Sequence, residues 1–166
     1  LPVSEFDNQS LVLVTKFGEV KRTSLQFFQS VRRSGIFAMD LEKNDKLISA
    51  KIAGEKDSIM LIASDGQAIK FAIAKLRKAS RSSGGVRGMK LKTNSIVIGA
   101  ALEKDGTDLL VISENGIGKR TLVKEFPTQG RGGGGVRAFK ISDKSGKLVG
   151  AHIIDSNNQI LFISNN

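Results

Sequence analysis

Leu109-Leu110-Val111-Ile112-Ser113-Glu114-Asn115-Gly116-Ile117-Gly118-Lys119-Arg120 reads as an apolar run, a tight turn and a returning run. An aliphatic run of this length, ended by turn residues, fits a buried strand. Asn115 and Gly116 tolerate the positive φ of a tight hairpin turn. The pattern occurs twice upstream. Leu11-Val12-Leu13-Val14 precedes Phe17-Gly18-Glu19-Val20-Lys21-Arg22, and Ile59-Met60-Leu61-Ile62 precedes Asp65-Gly66-Gln67-Ala68-Ile69-Lys70. Ile160-Leu161-Phe162-Ile163 opens a fourth copy. The turn glycines Gly18, Gly66 and Gly116 lie 48 and 50 residues apart. Ser34-Gly35-Ile36, Gly84-Gly85-Val86 and Gly134-Gly135-Val136 keep a step of 50. A fixed period near 50 residues marks a repeat architecture.

Each unit reads as four short strands. In the third these are Asp108 to Ser113, Ile117 to Thr121, Val136 to Ile141 and Lys147 to Ile154. The second offers Asp57 to Ala63, Gln67 to Phe71, Val86 to Lys92 and Ile96 to Leu102. The first offers Ser10 to Thr15, Glu19 to Arg22, Ile36 to Leu41 and Lys46 to Ile52. Ile73 to Lys78 has room for a short helical stretch. The expected fold is all-β: a propeller-like array of four-stranded blades, here about three blades plus one strand. The units run approximately 8–56, 57–106 and 107–157, with a fourth starting at 158. Such an array does not close a ring, so the chain is expected to be a piece of a longer protein. Its open edges invite pairing with a second copy.

The 166 residues carry 26 Lys and Arg against 16 Asp and Glu, a net charge of +10 that points to a polyanionic partner. The distribution is sharper than the total. Between Gly66 and Leu102 there is no acid, against Lys70, Lys75, Arg77, Lys78, Arg81, Arg87, Lys90 and Lys92. From Asn115 to Ser142 the one acid, Glu125, faces Lys119, Arg120, Lys124, Arg131, Arg137 and Lys140. A solvated surface, an acidic protein partner and an acidic glycan are the competing readings of such charge.

Most chemistry is excluded by what is missing. Cysteine is absent, which removes disulfides, thiolate metal sites and thiol nucleophiles and fits a reducing cytoplasm. The single histidine, His152, sits in an apolar strand as a packed or edge residue, without the partners that metal binding or acid–base chemistry needs. Asp105 with Asp108, and Asp40 with Glu42, read as turn or surface charge. No apolar stretch spans a bilayer, and Leu1 to Ser10 lacks the features of a signal peptide. Gly130-Arg131-Gly132-Gly133-Gly134-Gly135 lacks the Gly-Lys-Ser/Thr ending of a P-loop. It reads as a flexible loop that brings Arg131 and Arg137 to phosphates. Phe17, Phe37, Phe71, Phe139 and Phe162 fall in or beside strands and are expected mostly in the core, whereas Phe27-Phe28 lies in a connection. Without Tyr or Trp the chain lacks the usual platform for stacking unpaired bases, which favours duplex over single strands.

Asn115-Gly116-Ile117-Gly118-Lys119-Arg120-Thr121, Glu125-Phe126-Pro127-Thr128, Ser83-Gly84-Gly85-Val86-Arg87-Gly88-Met89-Lys90-Leu91 and Val149-Gly150-Ala151 resemble the C-terminal domain of DNA gyrase A subunits. The run around Lys119 favours gyrase over the related topoisomerase IV subunit. The resemblance implies a six-bladed β-pinwheel whose neighbouring blades exchange strands, of which this chain covers roughly blades three to five and the start of six. It implies a basic rim that binds and wraps duplex DNA without regard to sequence. The expected phosphate contacts are Lys70, Lys75, Arg77, Lys78, Arg81, Arg87, Lys119, Arg120, Lys124, Arg131 and Arg137, with Lys21, Arg22, Arg32 and Arg33 in the first unit. Implied partners are the remaining blades and catalytic part of the gyrase A subunit, together with the gyrase B subunit, in the bacterial cytoplasm. The family's Gln-Arg-Arg-Gly-Gly-Arg-Gly box has only a partial echo, Gln129-Gly130-Arg131-Gly132-Gly133. Enzymes of this class cleave DNA with a tyrosine and use ATP. This chain has no Tyr and no nucleotide motif, so it is expected to be non-catalytic and free of cofactors, within a parent type IIA topoisomerase.

Overall fold

The computed structural model describes residues 6–30 and 34–159. Among these the strands are β1 (Ser10–Thr15), β2 (Glu19–Ser24), β3 (Leu47–Ala53), β4 (Ser58–Ala63), β5 (Gln67–Ala72), β6 (Val86–Arg87), β7 (Val97–Leu102), β8 (Asp108–Ser113), β9 (Gly118–Leu122), β10 (Val136–Arg137) and β11 (Leu148–Ile154). Each apolar run pairs antiparallel with the run after its turn: β1 with β2, β4 with β5, β8 with β9. The turn glycines Gly18, Gly66 and Gly116 hold φ of 86°, 83° and 78°, a region that favours glycine. The run expected from Ile160 lies outside the described residues.

The sheets are not built unit by unit. The first has the order β3-β1-β2-β6, the second β7-β4-β5-β10 and the third β11-β8-β9. Thus β6, which follows the second hairpin in sequence, completes the sheet of the first hairpin, and β10 completes the second. The crossing starts before the strand itself. After a 3-10 turn at Ile73–Lys75, the Ala79 N–H donates to the Arg22 carbonyl of β2, so the chain is committed to the preceding sheet. After the 3-10 turn at Val123–Glu125, Gln129 N–H does the same to Lys70 of β5.

Donated strands are shorter than the alternation suggested, two residues in place of six or seven. The N–H groups of Gly88 and Met89 both turn onto the Gly18 carbonyl, and those of Ala138 and Phe139 onto Gly66. This ends the ladder. Ile36 to Leu41 forms no strand, and Asp40 N–H donates instead to the Ser83 carbonyl at 3.0 Å. The helical stretch near Ile73 is a single 3-10 turn, because Leu76 is already extended.

Two cores lie between the three sheets. Strand β4 serves both, which is why it is buried along nearly all its length. Ile59, Leu61 and Ala63 enter one core with Val12, Val14, Val20, Phe71 and Val97. Met60 and Ile62 enter the other with Leu109, Val111, Phe126, Phe139 and Leu148. Residues alternate across a strand, so a run buried on both faces must be apolar throughout. Of the phenylalanines, Phe71 and Phe139 are buried as expected, whereas Phe17 and Phe37 are exposed and Phe162 lies outside the described residues.

The edges of the sheets are unequal. Strand β7 packs against β3 on one side and β11 on the other. Gly99 of β7 sits so close to Ala151 of β11 that a Cβ would come within 2.8 Å of its carbonyl oxygen. Strands β3, β7 and β11 therefore converge on the inner edge. Strands β6 and β10 lie at the opposite, outer edge, and they carry the basic connections there.

Candidate nucleic-acid interface

The outer edge concentrates positive charge because each donated strand arrives through a connection rich in Lys and Arg. The connection into β6 exposes Lys75, Arg77, Lys78 and Arg87, with Arg81 half-buried. The connection into β10 exposes Lys124, Arg131 and Arg137. Two exposed lysines outside the contact set drawn from the sequence, Lys90 and Lys140, follow the donated strands directly. Both stood in the acid-poor stretches, and the period adds a second signal: Arg81 and Arg131, Arg87 and Arg137, Lys90 and Lys140 are equivalent positions 50 residues apart.

The glycine run is not a free loop. Gly132 N–H donates to Gly88 O at 2.6 Å, and Lys90 N–H donates to Gly133 O at 2.8 Å. Arg131 Nη1 donates to Arg87 O at 3.2 Å. These bonds join the two basic connections side by side. Positive φ at Gly132 and Gly135, 82° and 75°, lets the backbone turn into β10.

Three expected contacts point inward, and burial removes them from a phosphate-binding surface. Lys21 is 2% exposed and its Nζ donates to the carbonyls of Ala38, Arg81 and Ser83 at 2.9, 2.6 and 2.7 Å. Burial pushes its pKa down, and Asp40 opposes that shift. Arg22 is 3% exposed, pairs with Glu55 and also reaches Ser10 Oγ and the carbonyls of Ile73 and Leu76. Its guanidinium hydrogen bond holds the Glu55 carboxyl below the ordinary carboxylate range. Lys70 is 5% exposed and pairs with Glu103 at 2.7 Å. A buried charge needs a partner, and here each has one. The sequence held a signal for this: Arg22 precedes Glu55, and Lys70 precedes Glu103, by the same 33 residues.

Lys119 and Arg120 occupy the positions of Lys21 and Arg22 in the third unit, yet both are exposed. Lys119 Nζ donates to Ala138 O at 3.0 Å, and Arg120 pairs with Asp108 at 3.0 Å. Asp108 is thus not turn charge but a strand residue of β8. Hydrogen bonds from Arg120 and then Thr107 hold its carboxyl below the usual range. Among the described residues no donated strand covers β9, and Lys119 and Arg120 are exposed there. Arg32 and Arg33 lie outside the described residues.

The basic rim changes sign near the first sheet. There Arg87 and Lys90 border a cleft of about 470 Å³ that is also lined by Glu19, Glu42 and Asp45. Burial, then Glu42 and Asp45, raise the pKa of Glu19. The equivalent cleft at the second sheet, about 600 Å³, holds Lys90, Lys92, Gln67 and Asp65. Lys92 lies 3.5 Å from Asp65 there, so positive charge is in excess. His152 is exposed on the edge strand β11. Among the described residues no helix is long and apolar enough to cross a membrane.

The sequence matches the profile of the DNA gyrase C-terminal domain, beta-propeller, over residues 2–53, 57–102 and 107–155. It is 41% identical over 166 residues to the DNA gyrase A subunit of Clostridium acetobutylicum, covering 99% of this chain and 20% of that protein. It is 52% identical over 87 residues to the DNA gyrase A subunit of Dehalogenimonas lykanthroporepellens, covering 52% of this chain and 11% of that protein. A solved DNA gyrase A C-terminal domain superposes with a TM-score of 0.80 at 28% identity, covering 92% of this chain and 51% of that one. A C-terminal domain of DNA topoisomerase IV superposes with a TM-score of 0.84 at 23% identity, covering 93% and 49%, which is a likeness of fold. The chain thus spans about half of the solved domains and a fifth or less of the curated relatives.

Proposed function

Because the chain belongs to the DNA gyrase C-terminal domain family, we propose that it binds duplex DNA along its outer edge, without regard to sequence, as part of a gyrase A subunit. The contacts are Lys75, Arg77, Lys78, Arg81, Arg87 and Lys90 on one connection, and Lys124, Arg131, Arg137 and Lys140 on the next. The observation that carries this reading is the repetition of cations at equivalent positions on adjacent blades, with the two connections hydrogen-bonded to each other.

Lys and Arg displace condensed counterions from a duplex, a contribution that ignores base sequence. Smoothly bending a 20–30 base-pair site costs about 1–6 kcal/mol. Contacts spread over adjacent blades offset that cost only if the duplex follows the edge, so the rim favours a curved path. In the whole enzyme that curvature would present a wrapped segment for strand passage and bias it toward negative supercoils. Strand cleavage and ATP use would belong to other parts of the enzyme: the catalytic portion of the A subunit, together with the B subunit. This chain would contribute binding and curvature, with no cofactor of its own.

Titration of two unrelated 40-base-pair duplexes over a salt series tests the reading. The expected result is equal affinity for both and a slope of log affinity on log salt near −5, from about six neutralised phosphates at −0.9 each. A strong preference for one duplex, or a slope near zero, would reject it.

A further inference from the structure

We propose that the cleft between the start of β2 and the residues after β6 binds a protonated linear aliphatic diamine. Glu19, Glu42 and Asp45 receive its two ammonium ends, and Phe17, Met89 and Leu91 line the path of its methylene chain. The inference concerns a small cation and does not rest on DNA binding.

The three carboxylates are peculiar to the first unit. The turn that carries two of them recurs in every unit. Asp45 N–H donates to Glu42 O at 3.0 Å, Ser95 N–H to Lys92 O at 3.0 Å, and Ser145 N–H to Ser142 O at 3.1 Å. Lys92 with Ser95, and Ser142 with Ser145, therefore stand where Glu42 and Asp45 stand. Glu19 follows the turn glycine Gly18 as Gln67 follows Gly66 and Ile117 follows Gly116. The same backbone bears three acids in the first unit, one lysine in the second and no charge in the third. The fold does not require the acids, so their gathering in one cleft has another cause.

Asp45 gives an independent sign of a ligand. It is 8% exposed, and its Oδ1 accepts the N–H groups of Phe17 at 3.0 Å and Lys46 at 2.8 Å. Its Oδ2 is buried without a hydrogen-bond partner among the described residues. A buried carboxylate oxygen without a donor is uncommon and costly. With Oδ1 turned to the backbone, Oδ2 is the oxygen left for the cleft that Asp45 lines. None of the three acids forms an ion pair among the described residues. The upward push that Glu42 and Asp45 exert on the Glu19 carboxyl is what uncompensated neighbours produce.

The chemistry of the donor follows from the shape. Among the described residues no three acidic or imidazole groups are placed to hold one metal ion. The acids are spread along a cleft of about 470 Å³, so N–H donors are needed at more than one point. Met89 is buried and Leu91 half-buried in the wall between them, an apolar surface suited to CH₂ groups. An alkyl chain with an ammonium at each end meets both demands. Arg87 and Lys90 border the same cleft and offset part of its charge, so binding should be weak, exchangeable and screened by salt.

Amide NMR of the isotope-labelled full chain at low salt, titrated with 1,4-diaminobutane, tests the site. The amides to follow are Phe17, Lys46 and Gly85, which lie against Asp45 and Glu19. Saturable shifts with a Kd of about 1 mM are expected. Butylamine, with a single ammonium, should bind at least fivefold more weakly, and Mg²⁺ should give no saturable shift at these amides. Glu42→Lys, at an exposed position, copies Lys92 and should weaken the diamine at least tenfold with an unchanged thermal melt. Asp45→Ser copies Ser95 and should weaken it as much. No saturation by about 20 mM diamine, butylamine or Mg²⁺ binding as tightly, or an unaltered Kd in Glu42→Lys, would overturn the proposal.

Discussion

Changing Arg77, Lys78 and Arg81 together to glutamate lowers duplex affinity by about 10²–10³-fold at 0.1 M salt. The magnitude follows from counterion release. Each phosphate contact contributes about 0.9 to the salt exponent, so three contacts account for about 2.7 decades between 0.1 M and 1 M. The slope of log affinity on log salt should flatten by about three for the same reason. The fold should be little affected, because Arg77 and Lys78 are exposed and none of the three side chains makes an ion pair among the described residues. The Arg81 carbonyl accepts from Lys21 and Lys78 forms an isolated bridge with Arg22, both through backbone that the substitutions keep. Fluorescence anisotropy with a labelled duplex and a thermal melt on the same sample check both halves. Unchanged affinity with an intact melt would remove this connection from the interface.

Lys21→Met has the opposite profile: a large loss of stability and no direct loss of DNA contact. Methionine keeps an apolar stem but leaves the carbonyls of Ala38, Arg81 and Ser83 without their donor. A fully buried stranded carbonyl costs about 1–3 kcal/mol, and these three are half-buried, so the total is about 3–5 kcal/mol. At about 2–4 °C per kcal/mol for a chain of this size, Tm should fall by about 10 °C. The affected bonds tie the first unit to the connection that delivers β6, so that strand should lose hydrogen-exchange protection first. A variant with unchanged Tm and weakened DNA binding would return Lys21 to the phosphate-binding set.

The contrast between these lysines shows what was legible in the sequence. The hairpins were, because an apolar run followed by a turn glycine has one economical structure, and the 50-residue step counted the units. The destination of the third strand was not legible from residues alone. Val86-Arg87 alternates the same way whether it completes its own sheet or the preceding one, and only the family resemblance implied exchange. Burial of cations was hidden for a related reason. Lys21 and Lys119 occupy equivalent positions, yet one is enclosed and the other exposed, because enclosure depends on a strand delivered from the next unit. Lys70 sat in the most basic stretch of the chain and looked like rim charge. Its partner Glu103 stands beyond β7, where a scan for local charge runs does not look. Conversely, Lys90 and Lys140 stood in the acid-poor stretches, and their equivalent positions after β6 and β10 mark them as rim charge.

Lysine acetylation footprinting, with and without a 40-base-pair duplex at low salt, tests the outer-edge interface most directly. The account predicts protection of Lys75, Lys78, Lys90, Lys124 and Lys140, with Lys104, exposed and paired with Asp57 beside the inner-edge strand β7, reacting equally in both states. Protection of Lys104 with the five outer lysines unchanged would place the duplex elsewhere and contradict it.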